Sequence, residues 1–407
     1  MDSPVASWCR PVRVGRLYCA GVSTPSPFRL LVSCGEPSGD LYAAELVRNL
    51  RQRAAPLDVF GLGGDRLAAE GATLVAHVRD LAVVGLVEVL RHLQRLRRTF
   101  RSLLDAIDRL RPEVAVLVDY PDFHLRLARE LRRRGVPIVY YVSPQVWAWR
   151  PGRVRTIRDT VARMIVIFPF EEALYRDAGV DVRFVGHPLV ELVKPATDRD
   201  GFLAAHGLDP ARPLLLALPG SRPQEVSHNL PPLAGALRLV ASRRPDVQLA
   251  LAVAPSLPPS LFDADLAGLG VRLLAGHTHQ LMSSATAGIV ASGTATVEAA
   301  LLDLPMVVVY RLSALTYALG RPFVRVPHYA MANLIAGREI VRELIQGDFR
   351  PEPVAREALL LLEDPGRRAQ VRAGLADVRA RLGGPGASAR AAAEVEEVLL
   401  RRRKTLT

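Results

Sequence analysis

Two aspartates on one apolar run are the first residues in this chain with the makings of acid–base chemistry. The run VAVLVDY ends on Asp119, and Asp122 follows three residues later in YPDFH. A carboxylate delivered to the carboxyl end of a buried strand is well placed to act as a general base. Activating a sugar hydroxyl for one displacement at an anomeric carbon needs only one base. With no second carboxylate forming a covalent intermediate, that displacement inverts configuration. Asp122 has another role open to it, as N-cap of a helix over residues 123–134, so Asp119 is the preferred base. No Asp-x-Asp pair points to a metal-dependent reaction, and the nine histidines are scattered. His277-x-His279 is the closest pair and carries little signal, so no metal is expected.

Two further segments have the chemistry of phosphate sites. In ASGTATVE a strand gives way at once to a helix at Ser292, Gly293 and Thr294. Unpaired N–H groups and the positive end of the helix dipole there suit a phosphate or diphosphate. Glu298, one turn on, can accept hydrogen bonds from a ribose diol. The plainer alternative is an N-cap at Ser292 or Thr294 with Glu298 as surface charge. In LPGSRPQEV, Gly220 permits a tight turn, Ser221 offers a donor, and Arg222 can grip phosphate oxygens bidentately. Glu225 can cap a helix or orient Arg222.

The loop SCGEPSGD is Gly-rich and opens a helix, but it is neither a Walker loop nor G-x-G-x-x-G. Glu36 and Asp40 make it acidic, which suits a hydroxyl-rich sugar better than bare phosphate. Asp40 can also serve simply as dipole compensation for its own helix. GLGGDR at residues 61–66 is another tight turn. YYVSPQVWAWRPGR packs Trp147 and Trp149 beside a basic cluster, either lining a cleft or fixing a loop. His187, in VGHP, lies near a break in the pattern where two halves of the chain meet.

The elements that must position these residues follow from the hydrophobic pattern. The chain has 407 residues, 49% of them hydrophobic, enough for two cores. From Arg29 short apolar runs alternate with longer amphipathic stretches, the mark of βα units and a parallel sheet. RLLVSCG, VFGLGG, VAVLVDY, PIVYYVS and ARMIVIFP form a first set of strands. PLLLALPGS, VQLALAVAP, VRLLAG, AGIVASG and PMVVVY form a second. Helices are expected over residues 38–53, 231–244 and 294–302. The reading is an α/β protein of two facing Rossmann-like domains with a cleft between them, at the carboxyl ends of both sheets. Residues 28–190 form the first domain, 191–350 the second, and 351–407 are helices packing back on them. Residues 1–27 read as a disordered extension or an upstream start, without the apolar h-region of a secretory signal.

The net charge of +12 points to acidic partners. Only Lys194 and Lys404 are lysine, however, and so large an arginine excess reflects genomic composition as much as function. No nucleic-acid motif accompanies the charge, so phosphate or an anionic membrane surface is the expected partner, not nucleic acid. No apolar run reaches the roughly 18–20 residues of a membrane-spanning helix. Only Cys34 lies inside the folded region, which excludes a disulfide framework and fits a cytoplasmic location. The stretch from Asp80 to Arg111 interleaves Val87, Val89, Leu90, Leu93 and Leu96 with Arg91, Arg95, Arg97 and Arg98. Such a helix either lies in a headgroup layer or is a core helix with a solvated basic face.

Taken together and in order, GEPSGD, GLGGDR, DLAVVGLVEVL, DYPDF, YYVSPQVWAWR, FPFE, VGHP, LPGSR, ASGTATVE and NLIAGREIVRELIQ resemble the lipid-A-disaccharide synthase family, from about residue 29 to about residue 380. The resemblance implies a GT-B fold and metal-free, cofactor-free transfer of diacylglucosamine from UDP-diacylglucosamine to diacylglucosamine 1-phosphate. The products are a β(1→6) disaccharide and UDP, formed at the inner face of the cytoplasmic membrane. It implies Glu36 and Asp119 as catalytic residues, with Gly220, Ser221, Arg222, Ser292, Gly293, Thr294 and Glu298 at the UDP site. Ser38, Asp122, Trp147, His187, Asn333, Arg338 and Glu339 are assigned to the substrate cleft. Val87, Val89, Leu90, Leu93 and Leu96 are assigned to membrane and acyl contact, and a homodimer stays open. His124 departs from the family pattern, which has Asn after DF, and puts acceptor geometry in question. The rivals are a UDP-N-acetylglucosamine 2-epimerase, which needs no acyl-binding surface, and a non-catalytic sugar-nucleotide binder.

Overall fold

The computed structural model describes residues 26–53, 56–81, 89–147, 152–312, 317 and 326–406, with side chains omitted for 81, 89–93 and 406. Thirteen strands among them build two sheets, every pair parallel. The first contains β1 (Phe28–Cys34), β2 (Leu57–Gly63), β3 (Thr73–His77), β4 (Val114–Val118), β5 (Ile138–Tyr141), β6 (Arg163–Val166) and β7 (Val182–Phe184), in the order 3-2-1-4-5-6-7. The second contains β8 (Leu214–Leu218), β9 (Gln248–Val253), β10 (Arg272–Ala275), β11 (Ala287–Ala291), β12 (Met306–Tyr310) and β13 (Arg342–Ile345), in the order 10-9-8-11-12-13. Central strands such as VAVLV and LLLAL are buried at every residue, as strands covered by helices on both faces must be.

Three strands escape the sequence pattern: Thr73–His77, Val182–Phe184 and Arg342–Ile345. All are sheet edges, three to five residues long, and β13 carries Arg342 and Glu343. A short edge strand with charged side chains shows no apolar run.

The register of each sheet sets where loops emerge. Cys34 lies beside Val118 across β1 and β4, and Leu218 beside Val290 across β8 and β11. These are the points where strand order reverses, so each sheet opens a crevice there. The segments after β1, β4, β8 and β11 are SCGEPSGD, DYPDF, LPGSR and ASGTATVE, the four stretches with chemistry in the sequence.

Two helix boundaries differ from expectation. The helix placed at 231–244 begins eight residues earlier, at Pro223, and runs through Pro231 and Pro232 to Arg243. Pro223 at its first position needs no N–H, and burial of Leu230, Leu233 and Leu237 outweighs the interior prolines. The helix Pro121–Arg133 is capped at Tyr120, so Asp122 lies inside its first turn and is not the N-cap.

The C-terminal segment divides between the two halves. Helices Pro351–Glu363 and Pro365–Arg381 pack on the second sheet's layer, whereas Ala387–Leu406 crosses back onto the Pro37–Arg53 helix and the first sheet. Its Glu394 and Glu397 pair with Arg163, which is fully buried on β6 and also held by Asp181 at 2.8 Å. The outgoing and returning crossings touch: Glu191 accepts from the N–H groups of Gly386 (2.6 Å) and Ser388 (3.1 Å).

Candidate active site at the two switch points

At the first switch point the end of β4 is unusual. Asp119 and Tyr120 both have left-handed backbone, φ 51° and 50°. For non-glycine residues this costs about 1–3 kcal/mol each and is kept only where surroundings impose it. Three groups impose it here. The Asp119 carbonyl accepts from the Tyr140 hydroxyl (2.6 Å) and faces Nδ1 of buried His124 (2.6 Å). The Tyr120 ring closes over Gly35, where any Cβ would come within 2.1 Å of it. His124 therefore lies buried beneath the strand end that carries Asp119.

The Asp119 carboxyl is half-buried, and its pKa is pushed up to about 6. Burial is the main cause and the neighbouring Glu36 carboxylate adds to it, while the Tyr120 N–H and Arg222 pull the other way. A base with that affinity holds a proton yet is mostly ionised near neutral pH. Asp122 is exposed and paired with Arg153.

Asp40 is buried and accepts from the N–H groups of Gly64 (2.6 Å), Arg66 (3.1 Å) and Leu67 (3.2 Å). It caps the Asp65–Ala69 helix, not its own, and so clamps the GLGGDR turn against the GEPSGD loop. That removes Asp40 from the sugar-facing set and leaves Glu36, with Ser38 partly exposed in the helix's first turn.

At the second switch point Gly220 has φ 127°, a conformation that favours glycine, and Glu225 accepts from the Ser221 N–H at 3.0 Å. Glu225, in the first turn of the Pro223–Arg243 helix, therefore holds the turn that precedes the helix, and its N-cap Arg222 takes no side-chain cap. Arg222 reaches across the cleft, its Nη2 donating to Glu36 Oε2 at 2.8 Å. This ion pair joins the two crevices. Gly293, with φ 148°, is the N-cap of the Thr294–Leu301 helix, and no side chain among the described residues caps that end. The Ser292 hydroxyl instead donates to the Tyr329 carbonyl at 2.8 Å, so neither Ser292 nor Thr294 is a cap. Gly293 and Thr294 are exposed, and a Cβ on Gly293 would meet nothing within 4 Å. An open, uncapped N-terminus of this kind can hold an anion. Glu298 lies 3.7 Å from His279, while His277 joins the rings of Phe202 and His206.

Of the other residues assigned to the cleft, Asn333, Trp147 and His187 have internal partners. Asn333 is fully buried, donating to the Val341 carbonyl (2.9 Å) and Glu343 (2.7 Å) and accepting from the N–H groups of Ile340 and Val341. Every hydrogen bond it makes is internal, so it is not a ligand contact. Glu343 in turn accepts from Tyr329 and Ala330 N–H groups, which places the carbonyl that Ser292 uses. Arg338 and Glu339 are exposed, Arg338 facing Asp377 at 3.5 Å and Glu339 facing Arg342 at 3.3 Å. Trp147 donates to the buried Glu171 carboxyl at 3.1 Å and packs on Phe170, which is the loop-fixing alternative. Trp149 lies outside the described residues. Burial pushes Glu171 up to about 8. His187 is buried against Tyr42 and Phe168, and burial pushes it down to about 3.

Val87 lies outside the described residues, as do the side chains of Val89, Leu90 and Leu93. Leu96, in the helix Val89–Leu110, packs partly buried against the first domain's core. Neighbouring Arg95, Arg97 and Arg98 are exposed. Among the described residues no helix is long and apolar enough to cross a membrane, and no three His, Cys, Asp or Glu residues cluster to hold a metal.

The sequence signals missed His279 and Glu171. His279 came within view only as half of a weak pair. Glu171 sits in FPFE with nothing in the local pattern to show that Trp147 reaches it.

Residues 30–395 match the family described as lipid-A-disaccharide synthetase. The chain is 44% identical over 376 residues to lipid-A-disaccharide synthase of Myxococcus xanthus, covering 92% of this chain and 98% of that protein. It is 46% identical over 358 residues to the Koribacter versatilis synthase, covering 87% and 93%. Among solved structures, UDP-GlcNAc 2-epimerase of Neisseria meningitidis bound to UDP-GlcNAc superposes with TM-score 0.61 at 12% identity, over 92% of this chain and 100% of that one. The calicheamicin glycosyltransferase CalG4 superposes with TM-score 0.57 at 19% identity, over 92% and 99%. At such identities these two structures speak for the shared two-domain fold alone.

Proposed function

The chain belongs to the lipid-A-disaccharide synthase family, a family of glycosyltransferases, and from that premise we propose how its two switch points divide the reaction. The UDP-diacylglucosamine diphosphate docks at the exposed N-terminus of the Thr294–Leu301 helix and is gripped by Arg222, while Glu298 takes the ribose diol. The acceptor, diacylglucosamine 1-phosphate, presents its 6-hydroxyl to Asp119. As the hydroxyl oxygen bonds to the anomeric carbon, its proton passes to Asp119. The bond from that carbon to the diphosphate oxygen breaks, and its electron pair leaves with UDP. One displacement with one base inverts the centre. Neither a metal nor a cofactor enters this scheme.

The observation that carries the reading is the Arg222–Glu36 ion pair, which sets the diphosphate-binding arginine within contact of the acidic side of the base. Diphosphate competes with Glu36 for Arg222, so donor binding and the surroundings of Asp119 are coupled. The test mixes UDP-diacylglucosamine with diacylglucosamine 1-phosphate in detergent micelles and measures disaccharide and UDP. Disaccharide that disappears with Asp119→Asn supports the scheme. UDP-GlcNAc epimerisation without disaccharide overturns it. Against the epimerase stands the contrast between 44–46% identity to synthases and 12% to the epimerase.

We also propose that the protein works peripherally at the inner face of the cytoplasmic membrane. The support is an exposed basic run, Arg95, Arg97 and Arg98, on the Val89–Leu110 helix, together with acylated substrates. Replacing Leu90 and Leu93 with serine should release the chain from anionic vesicles; unchanged sedimentation would count against it.

A further inference from the structure

His124 is the buried polar residue beneath Asp119 whose chemistry the transfer itself does not use. It is fully buried in the first turns of the Pro121–Arg133 helix, ringed by Tyr120, Phe123 and Tyr140. Its Nδ1 lies 2.6 Å from the Asp119 carbonyl and its Nε2 lies 2.8 Å from Ser33 Oγ. A carbonyl only accepts, so Nδ1 carries the proton. Burial pushes the imidazole down to about 4, so the ring is neutral, Nε2 keeps a lone pair, and the Ser33 hydroxyl donates to it. The same carbonyl takes a second donor, the hydroxyl of buried Tyr140, at 2.6 Å.

The placement of the partners gives these bonds their meaning. Ser33 lies on β1 and Tyr140 on β5, the two strands that flank β4. Through His124 on one side and Tyr140 on the other, the Asp119 peptide is tied to both neighbours at the point where the backbone turns left-handed for two residues. A carbonyl with a single donor could swing about the strand end; one held from both sides cannot.

We propose that His124 is a positioning residue for the base: with Tyr140 it holds the Asp119–Tyr120 peptide in its left-handed form and so fixes where the Asp119 carboxylate points. This rests on the reading of Asp119 as the base. An amide at position 124 can donate to the Asp119 carbonyl but is too short to span to Ser33 as well, so it keeps half of the clamp. An aliphatic side chain keeps none.

The test uses the full chain with UDP-diacylglucosamine and diacylglucosamine 1-phosphate in micelles, and compares His124→Leu, His124→Asn, Tyr140→Phe, Asp119→Asn and the double variant Asp119→Asn/His124→Leu. Misplacing a catalytic group by about 1 Å costs on the order of 100-fold. His124→Leu should therefore lower kcat roughly 10- to 100-fold, with the donor KM and the Kd for UDP within about twofold of wild type. His124→Asn and Tyr140→Phe should each lose less. The double variant should show the same residual turnover as Asp119→Asn alone, because a group acting only through the base has nothing left to position. Two results overturn the proposal: a folded His124→Leu chain with wild-type kcat, or a double variant slower than Asp119→Asn by the factor His124→Leu costs alone. If His124→Leu does not fold, His124→Asn and its double with Asp119→Asn decide by the same comparison. An Asp119→Asn chain as active as wild type refutes the base assignment itself. An inactive Asp119→Asn beside a fully active His124→Leu refutes the clamp only.

Discussion

Asp119→Asn should yield a chain that is nearly inactive yet more stable at neutral pH. The carboxyl is lifted from 3.8 to about 6, mainly by burial. At about 1.4 kcal/mol per pH unit this represents up to ~3 kcal/mol. Because the group is only half-buried, solvent screening reduces the figure to about 1–2 kcal/mol. The sign follows from proton binding. Between pH 3.8 and 6 the folded chain keeps a proton at this site that the unfolded chain has released, so stability falls as pH rises through that window. Below it both states are protonated and the penalty vanishes. The assay is thermal melting of both chains from pH 4 to 8. At pH 7 the variant's first-domain transition should lie roughly 2–8 °C higher, and at pH 4, at the foot of the window, most of that difference should be gone. Turnover supplies the other half. A base with a pKa near 6 is about nine-tenths ionised at pH 7 and about one-tenth at pH 5, so the wild-type rate should fall roughly tenfold between them. A flat rate across that range, or a stability difference that is the same at pH 4 and pH 7, would refute the reasoning.

Three further outcomes are expected. Asp40→Ala strips the acceptor from three backbone N–H groups and should destabilise the first domain by about 2–4 kcal/mol in urea unfolding, with Asp40→Asn recovering part. Arg222→Ala should weaken UDP binding by roughly tenfold or more in calorimetry, and Arg222→Lys should restore less than half of that free energy, since an ammonium cannot grip two oxygens in a fork. Asn333→Ala leaves four internal hydrogen bonds unmade and should cost the second domain about 2–4 kcal/mol, while UDP Kd for the folded fraction stays within a few-fold.

The parts of this molecule that were legible in its sequence are those set by local pattern. Buried strands covered on both faces leave uninterrupted apolar runs, and VAVLV and LLLAL announce themselves for that reason. The turns after them could be read as sites because parallel sheets expose ligands at strand ends. Edge strands such as Arg342–Ile345 have no such run, and Pro231–Pro232 looks like a break inside what is one helix. Side-chain roles that depend on distant partners were not legible either. Asp40 serves a turn 24 residues away, His124 reaches back 91 residues to Ser33, and Arg222 meets Glu36 across 186. Asn333 reads as a cleft residue in its motif and turns out to be an internal brace. Its type is the same for both uses, and only burial separates them.

The return of the Ala387–Leu406 helix to the first sheet ties the protein's architecture to the order of its synthesis. Arg163 leaves the ribosome 231 residues before Glu394 and 234 before Glu397, with Asp181, 18 residues on, as its nearby partner in the interval. Phe28, near the start of the described chain, likewise waits for Arg403 to cover its ring at 3.6 Å. The first-translated half is thus the last to have all its contacting residues made, whereas the strands and covering helices of the second half are contiguous in the chain. A stop codon near the 3′ end of the message would strike hardest at the opposite end of the polypeptide, uncovering Arg163 and the face of the first sheet in a domain whose own coding sequence is intact.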